Sequence, residues 1–290
     1  MKYFAPSTVE EAAGLLAQPN TKVFAGATDV IPQIRAGRPE PDALVDLKKI
    51  DRLVSVQRTD ATWVIGAATP TTRLTGNAEL VAEFPGLVEA AGLIGSDQVQ
   101  SRSSLGGNLC NASPAADSVP AMVINSARAV IATANGGTRT VAVEDVPVGP
   151  GRTTLAPGEF VVEIEIDRPP ARTGDAYLRL TPRTEMDIAV VGAGVRVTLD
   201  ESGTVTDARV ALGAVAPTVV RVTAAEAALI GSKLDDVALA AAAAAASAAC
   251  NPIDDKRGTI AYRTHVAGVL TRRAAVIAGQ RAAEKNGASR

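Results

Sequence analysis

Two runs of small residues are the places in this chain where backbone could meet a ligand. The first is Val23-Phe24-Ala25-Gly26-Ala27-Thr28-Asp29-Val30, at the end of an apolar run and the start of a helical one. Small side chains let backbone approach a bound molecule, and amides at a helix start suit phosphate oxygens. An ordinary strand-to-helix turn, with Thr28 or Asp29 as N-cap, explains the same residues. The second run is Ser103-Ser104-Leu105-Gly106-Gly107-Asn108, continuing through Asn111-Ala112-Ser113-Pro114-Ala115-Ala116-Asp117. Its paired glycines, between hydroxyl and amide side chains, could offer N–H donors to a diphosphate, and Asp117 could accept from a ribose or ribityl hydroxyl. The plain alternative is a tight loop packed on its own domain.

Other chemistry is sparse. The chain has two cysteines, Cys110 and Cys250, and one histidine, His265. A four-ligand zinc or iron–sulfur site of Cys and His cannot be built from so few, and any Ser-His-Asp or Cys-His unit would have to use His265. His265 falls in a helical stretch and reads as a packing or hydrogen-bonding residue. Cys110 lies inside the second run and reads as a small buried filler that could also approach a ligand. Gly192-Ala193-Gly194 imitates the start of a dinucleotide fingerprint, but Val197 takes the third glycine's place and a strand continues where a helix is required. Arg179, Arg183, Glu185 and Asp187 form a charged strand-and-turn cluster, which reads as a solvated hairpin with ion pairs. No P-loop and no G-x-S-x-G elbow occurs.

The elements that must position these residues can be sketched from periodicity. A helix starts at Ser7 or Thr8, and short strands cover 21–25 and 43–46 around a helix at 29–35, a β-loop-α-β pattern suggesting a small parallel sheet. A second region has a strand at 62–67, helices at 71–76 and 79–92, and a polar stretch at 95–111 read as a functional loop. A helix at 117–126 and strands at 129–134, 138–143 and 160–166 follow. Pro169-Pro170, with Gly174, marks a boundary. Beyond it come three hairpin-spaced strands at 176–180, 188–199 and 205–212. The chain is then helical from 223, through the alanine run 240–249, to a last helix from about 261 into the 280s.

Composition narrows the class. The 290 residues are 47% hydrophobic and 21% charged, with a formal net charge of −2 from 29 basic and 31 acidic side chains. That balance gives no electrostatic footprint for nucleic acid, and 1 Trp, 3 Tyr and 4 Phe are too few for a base-stacking groove. No apolar signal core opens the sequence and no long apolar run crosses it, so a cytoplasmic chain without a transmembrane segment is expected.

Taken in order, FAGATD at 24–29, SLGGNLCNASPAAD at 104–117, YLRLTPRTEMDIAVV at 177–191 and YRTHVAGVLTRRA at 262–274 resemble the FAD-binding (medium) subunits of the molybdenum hydroxylases, the carbon monoxide dehydrogenase and xanthine dehydrogenase family. The resemblance covers essentially the whole chain. It implies an α+β protein with an FAD-binding fold of the p-cresol methylhydroxylase/vanillyl-alcohol oxidase type over 1–172, in subdomains of about 1–52 and 53–172. A C-terminal domain over 173–290, with a three-stranded antiparallel sheet and helices, would cover the ring. Residues Val23, Phe24, Ala25, Gly26, Ala27, Thr28, Asp29 and Val30, with Ser104, Leu105, Gly106, Gly107 and Asn108, would enclose the pyrophosphate. Asp117 would meet a sugar hydroxyl, Val161 would line the site, Ile94 would touch it, and Arg179 falls where relatives often carry lysine near the flavin. Tyr177 is a candidate to lie against the isoalloxazine.

Two departures stand out, Ala27 in the first run and Arg179, which keeps the charge of the usual lysine but changes its geometry and hydrogen bonding. Relatives usually read A-G-G in the first run where this chain has Ala27, which suits a negative φ or a shifted loop. The only histidine lies in the C-terminal helix, so FAD is expected to be non-covalent. The implied role is electron transfer within a heterotrimer, assembled as a dimer of heterotrimers. A large subunit would hold the molybdenum cofactor and a small one the [2Fe–2S] clusters, and FAD here would pass electrons to quinone, NAD or oxygen. No residue of this chain is assigned acid–base catalysis or metal binding. Substrate choice among carbon monoxide, a purine or an N-heterocycle would sit on another chain, and any contact with the inner face of the membrane would come through the complex. The competing readings are a stand-alone FAD-dependent oxidase or dehydrogenase, and a scaffold module that has lost FAD.

Overall fold

Thr8 starts the first helix: its Oγ1 accepts from Glu11 N at 3.1 Å, and Glu11 Oε2 reaches back to Ser7 N at 2.9 Å. That helix, α1 (Val9–Leu16), and α2 (Val30–Arg35) accompany a parallel sheet of β1 (Lys2–Phe4), β2 (Thr21–Phe24) and β3 (Ala43–Asp46), in the order β1-β3-β2. The strand β1, too short to show a period, is an addition to the expected pattern. The computed structural model describes residues 1–285; the last residues of the expected C-terminal domain lie outside them.

The second lobe is an antiparallel sheet in the order β4-β5-β10-β6-β7, formed by β4 (Val56–Arg58), β5 (Thr62–Gly66), β6 (Arg128–Ala132), β7 (Thr138–Ala142) and β10 (Phe160–Asp167). A two-stranded ribbon, β8 (Pro147–Gly149) and β9 (Arg152–Thr153), precedes β10. Its helices are α3 (Thr71–Thr75), α4 (Ala78–Glu83), α5 (Pro85–Gly92), α6 (Asp97–Gln100), α7 (Leu105–Cys110) and α8 (Ser118–Ile124). The helix expected over 79–92 is broken into α4 and α5, because Pro85 has no N–H to continue α4 but suits the first position of α5. The stretch expected as a loop over 95–111 contains α6 and α7. Ser104 caps α7, which offsets the low helix propensity of two glycines.

Behind both lobes lies a sheet of β11 (Thr173–Leu180), β12 (Val191–Leu199), β13 (Val205–Gly213) and β14 (Val220–Arg221), covered by α9 (Thr223–Leu229), α10 (Asp236–Ala248) and α11 (Ile260–Glu284). The sheet is antiparallel and has four strands where three were expected, since the two-residue β14 pairs with Ala211 and Leu212. Asp235 caps α10 through two backbone amides, and the alanine run packs α10 on α11. A Cβ on Gly268 would lie 2.7 Å from Ala243 O, so glycine sets that helix spacing. Three apolar cores result. Phe160 and Val162 of β10 lie in the core of the first lobe, so that core is completed by the second lobe's central strand.

Candidate cofactor cleft

A cleft of about 450 Å³ opens between the two lobes, inside the usual size range of small-molecule sites. One wall is the turn from β2 to α2. Gly26 is required there: a Cβ would stand 1.8 Å from Arg102 O, and Arg102 Nε donates to Gly26 O at 3.2 Å. Ala27 follows in the left-handed region, with φ of +60°, and its carbonyl accepts from Ile31 N at 3.2 Å to open α2. Of the two alternatives, a negative φ or a shifted loop, the first is therefore not the one adopted. The interlock at Gly26 and the helical bond at Ala27 together hold a conformation that a Cβ disfavours.

Of the first run, Val23, Ala25, Gly26, Ala27, Thr28, Asp29 and Val30 line the cleft, and from the second Ser104, Gly107 and Asn108 do so, with Ile94 and Cys110. Phe24 faces away. Its ring meets Tyr3 edge-on at 6.0 Å and lies under Lys48 Nζ at 4.4 Å, while Lys48 also donates to Ala25 O and Asp46 Oδ1, each at 2.7 Å. Phe24 thus anchors the turn from outside. Leu105 and Gly106 are buried beneath the wall, and a Cβ on Gly106 would come within 2.6 Å of Ala67 O. The glycine amides are also spoken for: Gly106 N donates to Ala67 O at 3.1 Å and Gly107 N to Ser104 Oγ at 3.1 Å. Gly106 serves close packing, and Gly107 keeps the wall bare.

Asp117, Val161 and Arg179 stand outside the cleft lining. Asp117 is buried, with Tyr177 OH donating to Oδ1 at 2.8 Å and Arg179 Nη1 to Oδ2 at 2.6 Å. Burial lifts the Asp117 carboxyl above its ordinary value, against the pull of Arg179 and Tyr177; burial likewise raises the Tyr177 phenol, and Asp117 adds to it. One link ties this cluster to the cleft. Asn108 Oδ1 accepts from Ser118 Oγ at 2.7 Å and Ser118 N at 3.3 Å, so a cleft residue holds the residue next to Asp117. Val161 is buried in β10, and its backbone amide reaches the Cys110 thiol, which burial pushes up to about 12.

Several cleft residues escaped the sequence reading. Gln33 Nε2 donates to Asn111 Oδ1 at 3.0 Å, joining the lobes, and Gly158 N donates to Leu16 O at 3.1 Å, bringing the 155–159 loop onto α1. Ala-Pro-Gly at 156–158 carries a turn signal that the sequence reading did not use, and its docking on α1 depends on a contact distant in sequence. His265 lies on the exposed face of α11, correcting the packing role expected of it. Gly192 and Gly194 have packing reasons: a Cβ on Gly192 would lie 2.4 Å from Tyr177 OH, and one on Gly194 3.2 Å from Ile124 Cδ1. Arg183 and Asp187 pair at 3.4 Å at the exposed β11–β12 hairpin tip, away from the cleft. Among the described residues no cluster of three or more His, Cys, Asp or Glu could hold a metal, and no helix is long and apolar enough to cross a membrane.

A βαβ lobe and an antiparallel lobe closing a bare-walled cleft, with a strand-and-helix domain behind, define a two-lobed cofactor-binding α+β chain. Residues 1–169 match the family described as the FAD binding domain in molybdopterin dehydrogenase, and residues 176–277 match the CO dehydrogenase flavoprotein C-terminal domain. The chain is 35% identical over 276 residues to the carbon monoxide dehydrogenase medium chain of Hydrogenophaga pseudoflava, covering 94% of this chain and 95% of that one. It is 33% identical over 239 residues to the nicotinate dehydrogenase FAD-subunit of Eubacterium barkeri, covering 80% of each. A structure of the Hydrogenophaga pseudoflava carbon monoxide dehydrogenase lacking the Mo-pyranopterin moiety superposes with a TM-score of 0.92 at 36% identity, over 97% of this chain and 98% of that one. The chain belongs to the FAD-binding medium subunits of the molybdenum hydroxylases, and is an FAD-dependent oxidoreductase subunit.

Proposed function

We propose that this chain holds FAD non-covalently in the inter-lobe cleft and serves as the electron-transfer subunit of a heterotrimeric molybdenum hydroxylase resembling carbon monoxide dehydrogenase. The observation that carries the reading is the interlock of Gly26 with Arg102, which leaves a wall of backbone and small side chains where an extended dinucleotide needs close approach. The fold is read as the p-cresol methylhydroxylase/vanillyl-alcohol oxidase type.

Bound FAD supplies a centre that accepts and releases electrons singly or in pairs, as a relay between one-electron clusters and an acceptor requires. The chain's own residues bind and shield. The turn 25–30 and the wall Ser104, Gly107 and Asn108 would enclose the pyrophosphate, while Phe24, Leu105 and Gly106 support them from behind. Asp117 and Arg179 form a nearly charge-compensated pair that, with Tyr177 and Val161, would bound the flavin end. A large subunit with the molybdenum cofactor would oxidise substrate. A small [2Fe–2S] subunit would deliver electrons, and quinone, NAD or oxygen would take them, in a cytoplasmic dimer of heterotrimers.

The test is direct. Purified chain titrated with FAD should quench flavin fluorescence at one equivalent, and the untagged complex should co-purify with molybdenum and iron. A chain that stays colourless with excess FAD, or is recovered only as a metal-free monomer from its native source, refutes the reading.

A further inference from the structure

Strand β11 passes between the FAD-binding domain and α11, and at two glycines the backbones approach directly. A Cβ on Gly86 would lie 2.8 Å from the Cα of Ala176, and one on Gly174 would lie 2.2 Å from Ala278 O. Strand alternation puts Asp175, Tyr177 and Arg179 on one face, and that face grips α8 at both ends. At the C-terminal end, Asn125, the C-cap of α8, donates from Nδ2 to Asp175 Oδ2 at 2.9 Å. At the N-terminal end, Tyr177 and Arg179 hold Asp117, the N-cap residue. Residues 117 to 125 of a helix span about 12 Å, and 175 to 179 of a strand about 13 Å, so the spans match and the two elements run in opposite directions. Asp175 is fixed from its other side as well. It accepts from Gly86 N at 3.0 Å and Leu87 N at 3.2 Å, two first-turn amides of α5. The pinned end of α8 reaches the cleft in one step, through Ser118 and Asn108.

We infer that Asp175, remote from the cleft, is a positioning residue of the cofactor site: by keeping β11 in register on α8 it fixes Asp117 and, through Ser118, the cleft residue Asn108. This rests on the reading that FAD occupies the cleft. A helix cap that only stabilises the domain junction would affect melting and nothing else.

The experiment uses the full chain with Asp175→Ala and Asn125→Ala. It measures FAD Kd by flavin fluorescence well below each melting point, and the visible circular dichroism of the bound flavin. Asn125→Ala cuts the tie between β11 and α8 while leaving the α5 amides with Asp175, so it decides the matter if Asp175→Ala does not fold. Kd is expected to rise about tenfold in Asp175→Ala and about threefold in Asn125→Ala, with an altered flavin dichroism in both. Wild-type Kd and dichroism in Asn125→Ala, and in a folded Asp175→Ala that merely melts earlier, overturn this inference alone. A wild-type chain that binds no FAD overturns the cofactor reading and this inference with it.

Discussion

Replacing Ala27 by glycine should make the protein more stable. Ala27 sits at φ +60°, held by the Gly26–Arg102 interlock and by its own helical bond to Ile31. A left-handed conformation costs a Cβ-bearing residue about 1–2 kcal/mol relative to glycine. The greater freedom of glycine in the unfolded chain returns about 0.4–1 kcal/mol of that. The net gain is about 0.5–1 kcal/mol, which for a chain of this length raises the melting temperature by about 1–3 °C. Ala27→Val is the mirror experiment, because a β-branched residue is a severe outlier in that region and should lower melting by several times as much. Thermal and urea unfolding of the three proteins, with and without FAD, read the effect. Wild type should still bind FAD, since the strain is absorbed by the clamped turn before any ligand arrives. A less stable Ala27→Gly beside an unperturbed Ala27→Val would place Ala27 at negative φ and refute the reasoning.

Three further outcomes are expected. Gly26→Ala must separate the turn from Arg102 O, costing about 2–3 kcal/mol and weakening FAD binding in a fluorescence titration. Tyr177→Phe leaves Asp117 Oδ1 buried without its phenol donor, and equilibrium denaturation should show a loss of about 1–3 kcal/mol with little change in secondary structure. Burial alone would raise the Glu83 carboxyl, but Arg168, Trp63 and Arg58, each within 2.9 Å, outweigh it and hold it down at about 2. A lowered folded value stabilises above the unfolded value and is lost as pH falls toward about 2. Glu83→Gln should therefore cost about 2 kcal/mol near neutrality, after allowance for solvent screening, and the gap to wild type should close on acidification. A gap that stays constant down to pH 2.5 would contradict the assignment.

The sequence was most informative where residue type and backbone demand coincide. The order β2–turn–α2–β3 could be read because Gly26 ends a strand and Asp29 precedes a helix. The pairing of β12 with β13 followed from the hairpin spacing of the strands expected at 188–199 and 205–212. What stayed hidden depends on contacts distant in sequence. The helix α7 was taken for a loop because the stretch around it is polar and rich in Ser, Gly and Asn; it forms because Ser104 caps it and Ala67 receives Gly106. Phe24 and Leu105 were grouped with the cleft walls through the family resemblance, yet alternation in β2 and the helical period of α7 turn them away from it. Asp117 was read as a sugar contact, and only the fold shows it bound by Tyr177 and Arg179 from a strand some sixty residues on.

Cys110 carries a consequence for durability. The residue lines the cleft, while its thiol is turned into the protein toward Val161, where burial pushes it up to about 12. At neutral pH only about one molecule in 10⁵ carries the reactive thiolate. If FAD occupies the cleft as proposed, electrons lost from it to oxygen would yield peroxide close to this residue. A thiol this close to the cleft is thus both buried and kept in the form slowest to begin the climb through sulfenic and sulfinic acids. On that reading the chain would need no resolving cysteine beside its cofactor.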